Sequence, residues 1–306
     1  MSTLNHKIDF ALVFTVNNAN PNGDPLDGNR PRTTYTGLGE VSDVCLKRKI
    51  RNRWMDEGHA VFVQSDDRRT DDFRSLKDRA DACPALKECL DAMAAQKKAK
   101  NKKSDTPLVT REDYARIACA QWLDVRAFGQ VFAFKSKGEE EGDSDAVSVG
   151  IRGPVSIQSA FSLDTVTVTS TQITKSVNLQ TDAADPDKKG RDTMGTKHRV
   201  DHGVYVTYGS INVQAAEKTG FSEEDALALK ESLRTLFRND ATAARPDGSM
   251  EVAKLVWWEH NCPCGQYSAA KVHRSLHVTL DPSGFPQVSV DESATPGLHY
   301  TVIDGE

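Results

Sequence analysis

From Asn17 the chain reads Asn17-Asn18-Ala19-Asn20-Pro21-Asn22-Gly23-Asp24-Pro25-Leu26-Asp27-Gly28-Asn29-Arg30-Pro31-Arg32, and a little further on Cys45-Leu46-Lys47-Arg48-Lys49-Ile50-Arg51-Asn52-Arg53-Trp54. The first stretch supplies side-chain amides, and its turn formers leave backbone N–H groups outside regular ladders. The second places five cations in the seven positions 47–53. Amide donors, loose N–H groups and cations are the means by which protein surfaces hold phosphate chains. On the plainer reading, Asn, Gly and Pro only turn the chain from a strand into a helix.

Other chemistries fit less well. Asn18-x-Asn20-x-Asn22-Gly23 imitates the opening of a calcium loop, but the first ligands are neutral amides and the twelfth position is Asn29 rather than a bidentate Glu. His260-Asn261-Cys262-Pro263-Cys264, with His273 and His277 downstream, has zinc-ligating residue types without the usual paired spacing. His198 and His202 stand four apart where a strand resumes, which favours a surface or RNA contact over a helical metal pair. Glu139–Glu141, Asp24 and Asp27 could supply carboxylates to a hydrolase, yet no base or nucleophile stands at a recognisable spacing. P-loop, dinucleotide and Gly-x-Ser-x-Gly signatures are absent from the sequence.

The elements that must position these residues follow from periodicity. Ile8, Phe10, Leu12, Phe14 and Val16 alternate through a strand at 7–16. Leu46, Ile50 and Trp54 align on a helix at 41–56, with Lys47 and Arg51 on one flank and Lys49 and Arg53 on the other, stems packed and heads reaching out. Residues 71–95 read as helix interrupted at Pro84, and Thr110-Arg111-Glu112-Asp113 opens another helix to about Arg126. Strands are expected at 130–134, 147–151, 163–174, 203–214, 251–259 and 272–280, and an amphipathic helix at 222–238. Reduced to its core the order is β, α, β, β, α, β, that of a ferredoxin-like or RNA-recognition-motif sheet carrying large insertions.

The 306 residues are 38% hydrophobic, with mean hydropathy −0.53, enough for one large domain with insertions. No apolar run approaches the ~18–20 residues that cross a bilayer. The start Met-Ser-Thr-Leu-Asn-His lacks the regions of a signal peptide, and six scattered cysteines form no disulfide framework, so a reduced cytoplasm is expected. Net charge is −5, but the charges are segregated: basic at 47–53, 97–103 and 188–199, acidic at 66–72 and 139–145. Such segregation suits one face for a polyanion and another for a neighbouring subunit.

Asn20-Pro21-Asn22-Gly23-Asp24-Pro25 after the first strand resembles the signature of the CRISPR-associated Cas-seven backbone family, type I-C branch. Three later segments resemble the same family: Asp124-Val125-Arg126-Ala127-Phe128-Gly129, Ile151-Arg152-Gly153-Pro154-Val155-Ser156-Ile157-Gln158, and Lys197-His198-Arg199-Val200-Asp201-His202-Gly203-Val204-Tyr205. The resemblance implies an α+β fold: a modified ferredoxin-like RNA-recognition-motif palm at 1–57, 128–177 and 201–306, helical fingers at 58–127 and a β-hairpin thumb at 178–200. It implies a subunit without catalytic residues, cofactor, metal or membrane, stacked with copies of itself in a right-handed filament along a CRISPR RNA (crRNA). Other Cascade subunits (a Cas-five-type end cap, a large and a small subunit) and target DNA, met through the guide, would be its partners.

The resemblance also assigns residues. Arg32, Ser42, Lys47 and Arg51 fall where the loop and first helix hold RNA phosphates, beside Asn18, Asn20 and Asn22. Arg126, Arg152 and Gln158 fall near the palm's RNA face. Met194 becomes the wedge beside a displaced base, with Lys197, His198 and Arg199 along the thumb. The aromatic stacking signature of ordinary RNA-recognition motifs is missing, which implies a grip on backbone rather than bases. Two alternatives are an endoribonuclease using Asp24 or Asp27, as type III relatives use a loop aspartate, and an RNA-binding protein unrelated to CRISPR.

Overall fold

The computed structural model describes residues 3–98, 108–134, 147–175 and 194–306. The chain opens on β1 (Ile8–Ala19), whose residues from Ile8 to Val16 are all buried. A tight hairpin, β2 (Gly23–Asp24) with β3 (Arg30–Pro31), and β4 (Leu38–Val41) lead into α1 (Asp43–Asp56). Next come α2 (Leu76–Asp81), α3 (Pro84–Lys98), α4 (Arg111–Gln121) and α5 (Leu123–Phe128). Strands β5 (Gly129–Phe134), β6 (Val147–Arg152), β7 (Val155–Ile157), β8 (Ala160–Thr165), β9 (Val168–Thr174) and β10 (Met194–Ile211) follow. The last part holds α6 (Val213–Thr219), α7 (Glu223–Arg234), β11 (Met250–Glu259), α8 (Ala269–Arg274), β12 (Leu276–Leu280), β13 (Pro286–Val290) and β14 (His299–Asp304). No helix among the described residues is long and apolar enough to cross a membrane.

Among the described residues a large antiparallel sheet runs β14-β11-β1-β10-β8-β4, with β7 and β9 also paired to β10. Both faces of β1 are covered, as its unbroken burial requires. Phe10, Leu12, Phe14 and Val16 pack with Leu46, Ile50 and Trp54 of α1 and Leu229 and Leu233 of α7. Ala11 and Val13 pack on the opposite side with Trp258, Val272 of α8 and Leu276 of β12. Each such buried side chain contributes about 1.5–3 kcal/mol relative to exposure. A third cluster joins helices α3 and α4 to β5 and β6, where Phe62, Leu86, Tyr114, Trp122, Phe132 and Val149 meet.

Several boundaries differ from the periodicity reading for local reasons. Pro84 is the first residue of α3, where its missing N–H costs nothing. The helix expected through Arg126 breaks at Trp122, which is extended at φ −127° and separates α4 from α5. Residues 269–274 are helical, so the strand expected from 272 starts at Leu276. Asn212 caps α6 by accepting from the Ala215 N–H at 2.9 Å, ending the strand before 214.

Asn18 adopts the left-handed region at φ 51°. Before it, Val16 and its opposite Gly203 lie on the α1 side; after it, Ala19 and its opposite Val200 do. The facing of both strands thus reverses at the same level.

Candidate nucleic-acid interface

The five cations of α1 are already engaged. Lys47 Nζ donates to Asp43 at 2.9 Å, Arg48 Nη2 to Asp67 at 3.1 Å, and Arg51 Nε to Asp124 at 2.8 Å. Lys49 is bound to Asp240, and Arg53 reaches Asp56 and Glu57 at 3.1 Å each and the Thr235 hydroxyl. Lys49 and Arg53 are buried, which corrects the expectation that their heads reach out. Burial pulls the Lys49 ammonium below the usual lysine value, with Asp240 working against it. Helix α1 is therefore a junction whose charges tie together the insertion (Asp67, Asp124) and the segment after α7 (Asp240). Arg51, bonded to Asp124 and over the Phe128 ring at 5.1 Å, braces the helix against the insertion. Lys47 keeps a more open position, its partner being only one turn away.

The asparagine loop is also internally bolted. Asn20 is buried and its Nδ2 donates to the Asn29 carbonyl at 2.7 Å, so it presents no donor to a ligand. Asn22 Oδ1 accepts from both the Ser42 N–H at 3.0 Å and the Ser42 hydroxyl at 2.8 Å, while Ser42 Oγ accepts from the Cys45 N–H. Asn22 and Ser42 thus form one cap that sets the angle of α1. Asn18 is exposed. Arg32 is half-buried, 3.4 Å from Asp24 Oδ1.

Arg126 corrects a further expectation. Its Nε and Nη2 donate to Asp225 at 2.7 and 2.8 Å and its Nη1 to the Cys119 carbonyl at 2.6 Å. Asp225 is at the same time the capping-box residue of α7, so Arg126, expected near the palm's RNA face, welds α5 to α7. That hydrogen bonding raises its pKa further above the ordinary arginine value. Arg152 and Gln158 are exposed, at the end of β6 and just after β7.

The exposed cationic surface gathers on the stem formed by β9 and β10. Met194, paired with Thr174, is 64% exposed and its sulfur accepts from Gln172 Nε2 at 3.1 Å. Lys197 and Arg199 alternate with His198, so they lie on opposite sides of the strand. His198 Nδ1 lies 2.8 Å from Ser170 Oγ, and Arg30 Nη1 donates to the same oxygen at 3.0 Å. The β2–β3 hairpin is thereby fastened to the stem. His202 Nδ1 lies 2.6 Å from Asn17 Oδ1. Arg30 and Ser170 are the residues that spacing alone missed; Ser170 stands in the phase of Val166 and Val168, between threonines, and that break in the alternation is the one signal for it. Residues 178–193 of the expected thumb, including the basic residues Lys188, Lys189 and Arg191, lie outside the described residues, as do 99–107 and the acidic run 139–145.

His260, the first of the candidate metal residues, is otherwise occupied. His260 Nε2 lies 2.8 Å from Asp9 Oδ2 and its Nδ1 accepts from the Gln266 N–H at 2.9 Å, so both ring nitrogens are used. Among the described residues no group of three His, Cys, Asp or Glu is placed to hold a metal ion. Asp24 Oδ1 accepts from the Leu26 N–H at 3.0 Å beside Arg32, and Asp27 is an exposed residue 3.7 Å from Arg30.

A mixed helix-and-sheet protein with a broad antiparallel sheet, a helical insertion and a cation-lined hairpin stem has the parts of a nucleic-acid scaffold. The family model described as CRISPR-associated protein Cas7 matches residues 6–294, and the chain belongs to that family. All four sequence motifs lie inside the matched span. The chain is 26% identical over 250 residues to the CRISPR-associated protein Cas7 of Haloferax volcanii, covering 79% of this chain and 67% of that protein. Among solved structures it is similar to a chain of a "CRISPR RNA-guided surveillance complex, pre-nicking", with TM-score 0.45 and 16% identity, covering 82% of this chain and 78% of that one. A chain of a second "CRISPR RNA-guided surveillance complex" gives TM-score 0.39 and 17% identity over 82% of this chain and 68% of that one.

Proposed function

We propose that this chain is a non-catalytic backbone subunit of a type I-C Cascade complex that grips crRNA by its phosphates and presents the guide for pairing with target DNA. Copies would stack along the guide in the cytoplasm, with the end-cap, large and small subunits as neighbours. Sequence discrimination is then delegated to base pairing, and the protein's task is to hold and preshape the guide. The sheet neighbours β11-β1-β10-β7/β8, reading 4-1-3-2 in the reduced order, support a ferredoxin-like palm. The separate cluster around Phe62 and Trp122 supports fingers at 58–127, and the β9–β10 stem supports a thumb.

The observation that carries the reading is the stem, where exposed Lys197 and half-buried Arg199, 3.7 Å from Asp201, share one side of β10, and His198 with Arg30 lies on the other. Arg32, Lys47, Arg152, Gln158 and Asn18 extend the surface, with Met194 towards the hairpin tip. Lys197→Ala/Arg199→Ala should weaken binding of single-stranded RNA about tenfold and flatten the log–log salt dependence by about 0.7 for each phosphate the protein no longer neutralises. Unchanged affinity and slope would remove the stem from the interface. Incubating the protein with guide-complementary RNA and divalent cations should leave that RNA intact; cleavage abolished by Asp24→Ala would instead establish the endoribonuclease.

A further inference from the structure

Behind α1, on the face away from Lys47 and Arg51, a cavity of about 260 Å³ opens between Asn22–Gly23, the helix and the segment 239–245. At about 30 Å³ per water it would hold roughly nine waters, room for a phosphate and its adjoining sugar. Its lining carries four cations (Arg48, Lys49, Arg68, Arg245) against two carboxylates (Asp67, Asp240). Asp240 is shared between Lys49 and Arg245, the latter at 3.0 Å, so one carboxylate answers two charges. Arg68 is held from outside the lining by Asp56 at 3.5 Å and donates to the Asn239 carbonyl.

The last cation is differently placed. Arg48 is 58% exposed and its partner Asp67 is 69% exposed. Such a surface pair holds its partners weakly, whereas a phosphate offers the guanidinium fork charge and two acceptors in a partly walled site. The buried Lys49 and the Arg245 side chain stay fixed at the back, and Arg48 can turn from one anion to another at little cost.

We propose that this cavity is a phosphate subsite for an RNA strand, in which Arg48 exchanges Asp67 for a phosphodiester. This rests on the proposed RNA-binding function and adds a second point of grip on the opposite side of α1. Asp67 then acts as an internal competitor that fills the site when no RNA is present.

The test is salt-dependent binding of a single-stranded oligoribonucleotide to the full chain. Arg48→Ala and Arg48→Glu should weaken binding and lower the log–log slope by about 0.7, the value for one phosphate on a single strand. Asp67→Asn should do the opposite, tightening binding about two- to fivefold as the competing pair is removed. Both side chains are exposed, so the thermal unfolding midpoint should stay at the wild-type value in either variant. Wild-type slope in both Arg48 variants, or no tightening in Asp67→Asn, overturns the subsite. If Lys197→Ala/Arg199→Ala weakens binding while Arg48 variants do not, the subsite falls and the RNA-binding function stands. If neither set changes affinity, both fall.

Discussion

Asp124→Ala should destabilise the protein by about 3–5 kcal/mol, read as a lower midpoint in denaturant or thermal unfolding. The Asp124 carboxylate is fully buried and accepts from Arg51 Nε at 2.8 Å, the Phe62 N–H at 2.7 Å and the Val63 N–H at 3.1 Å. Removing it strands two backbone donors and a half-buried guanidinium together, and buried groups left without a partner forfeit their full desolvation. Arg51→Ala should cost less, about 1.5–3 kcal/mol, because Asp124 keeps its two backbone donors. Any loss of guide RNA in Arg51→Ala should scale with the folded fraction. RNA loss in a fully folded Arg51→Ala protein would restore Arg51 as a phosphate ligand.

The second large effect is expected at Asp9, the second residue of β1. Its carboxylate is buried, receives Lys7 Nζ at 2.7 Å and His260 Nε2 at 2.8 Å on Oδ2, and lies 3.9 Å from His273 Nε2 on Oδ1. Burial alone would push this carboxyl up; the bonds from His260 and Lys7 overcome it and hold the group below its ordinary 3.8. Asp9→Asn keeps the volume but leaves Lys7 uncompensated, so a loss of about 3–5 kcal/mol at neutral pH is expected.

The pH dependence has two parts. A carboxyl with a lowered folded pKa contributes stability above its unfolded value of 3.8 and loses it as pH falls through the folded value. Burial lowers His273 from 6.5, so acidification below 6.5 already favours the unfolded chain, which binds the proton more readily. Wild-type stability should therefore begin to fall below about pH 6.5 and fall again below about pH 3.8. Asp71, Asp113 and other carboxyls held low by their hydrogen bonds share the second fall, so Asp9→Asn should make it shallower; an acid profile parallel to wild type below pH 3.8 would show that Asp9 contributes nothing to it.

How far the sequence reveals this molecule depends on the range of each interaction. Strand β1, helix α1 and helix α7 are legible because alternation, a helical stripe and capping residues are local. Strand β14 is not, since its burial is slight and it is placed by pairing with β11, from a distant part of the chain. The α1 cations are legible as residue types, but their partners lie 73 residues away for Arg51 and 191 for Lys49. No local pattern tells a cation that reaches solvent from one that meets a distant carboxylate in the interior. The motif glycines are a similar case. A Cβ on Gly129 would meet the Ile151 carbonyl at 2.2 Å, and one on Gly153 the Ala127 carbonyl at 2.2 Å. Two of the family motifs thus mark a backbone crossing that only glycine permits, which the separate segments do not disclose.

The left-handed residue at Asn18 gives the stem a degree of independence from the body. Because facing reverses in β1 and β10 at one level, the alternation beyond Ala19 and Val200 is set locally and is not dictated by the core-facing register below. The hairpin can accordingly grow or shrink by matched residue pairs without turning a core side chain outward. The length of the stem is thus a property that can change while the body stays the same.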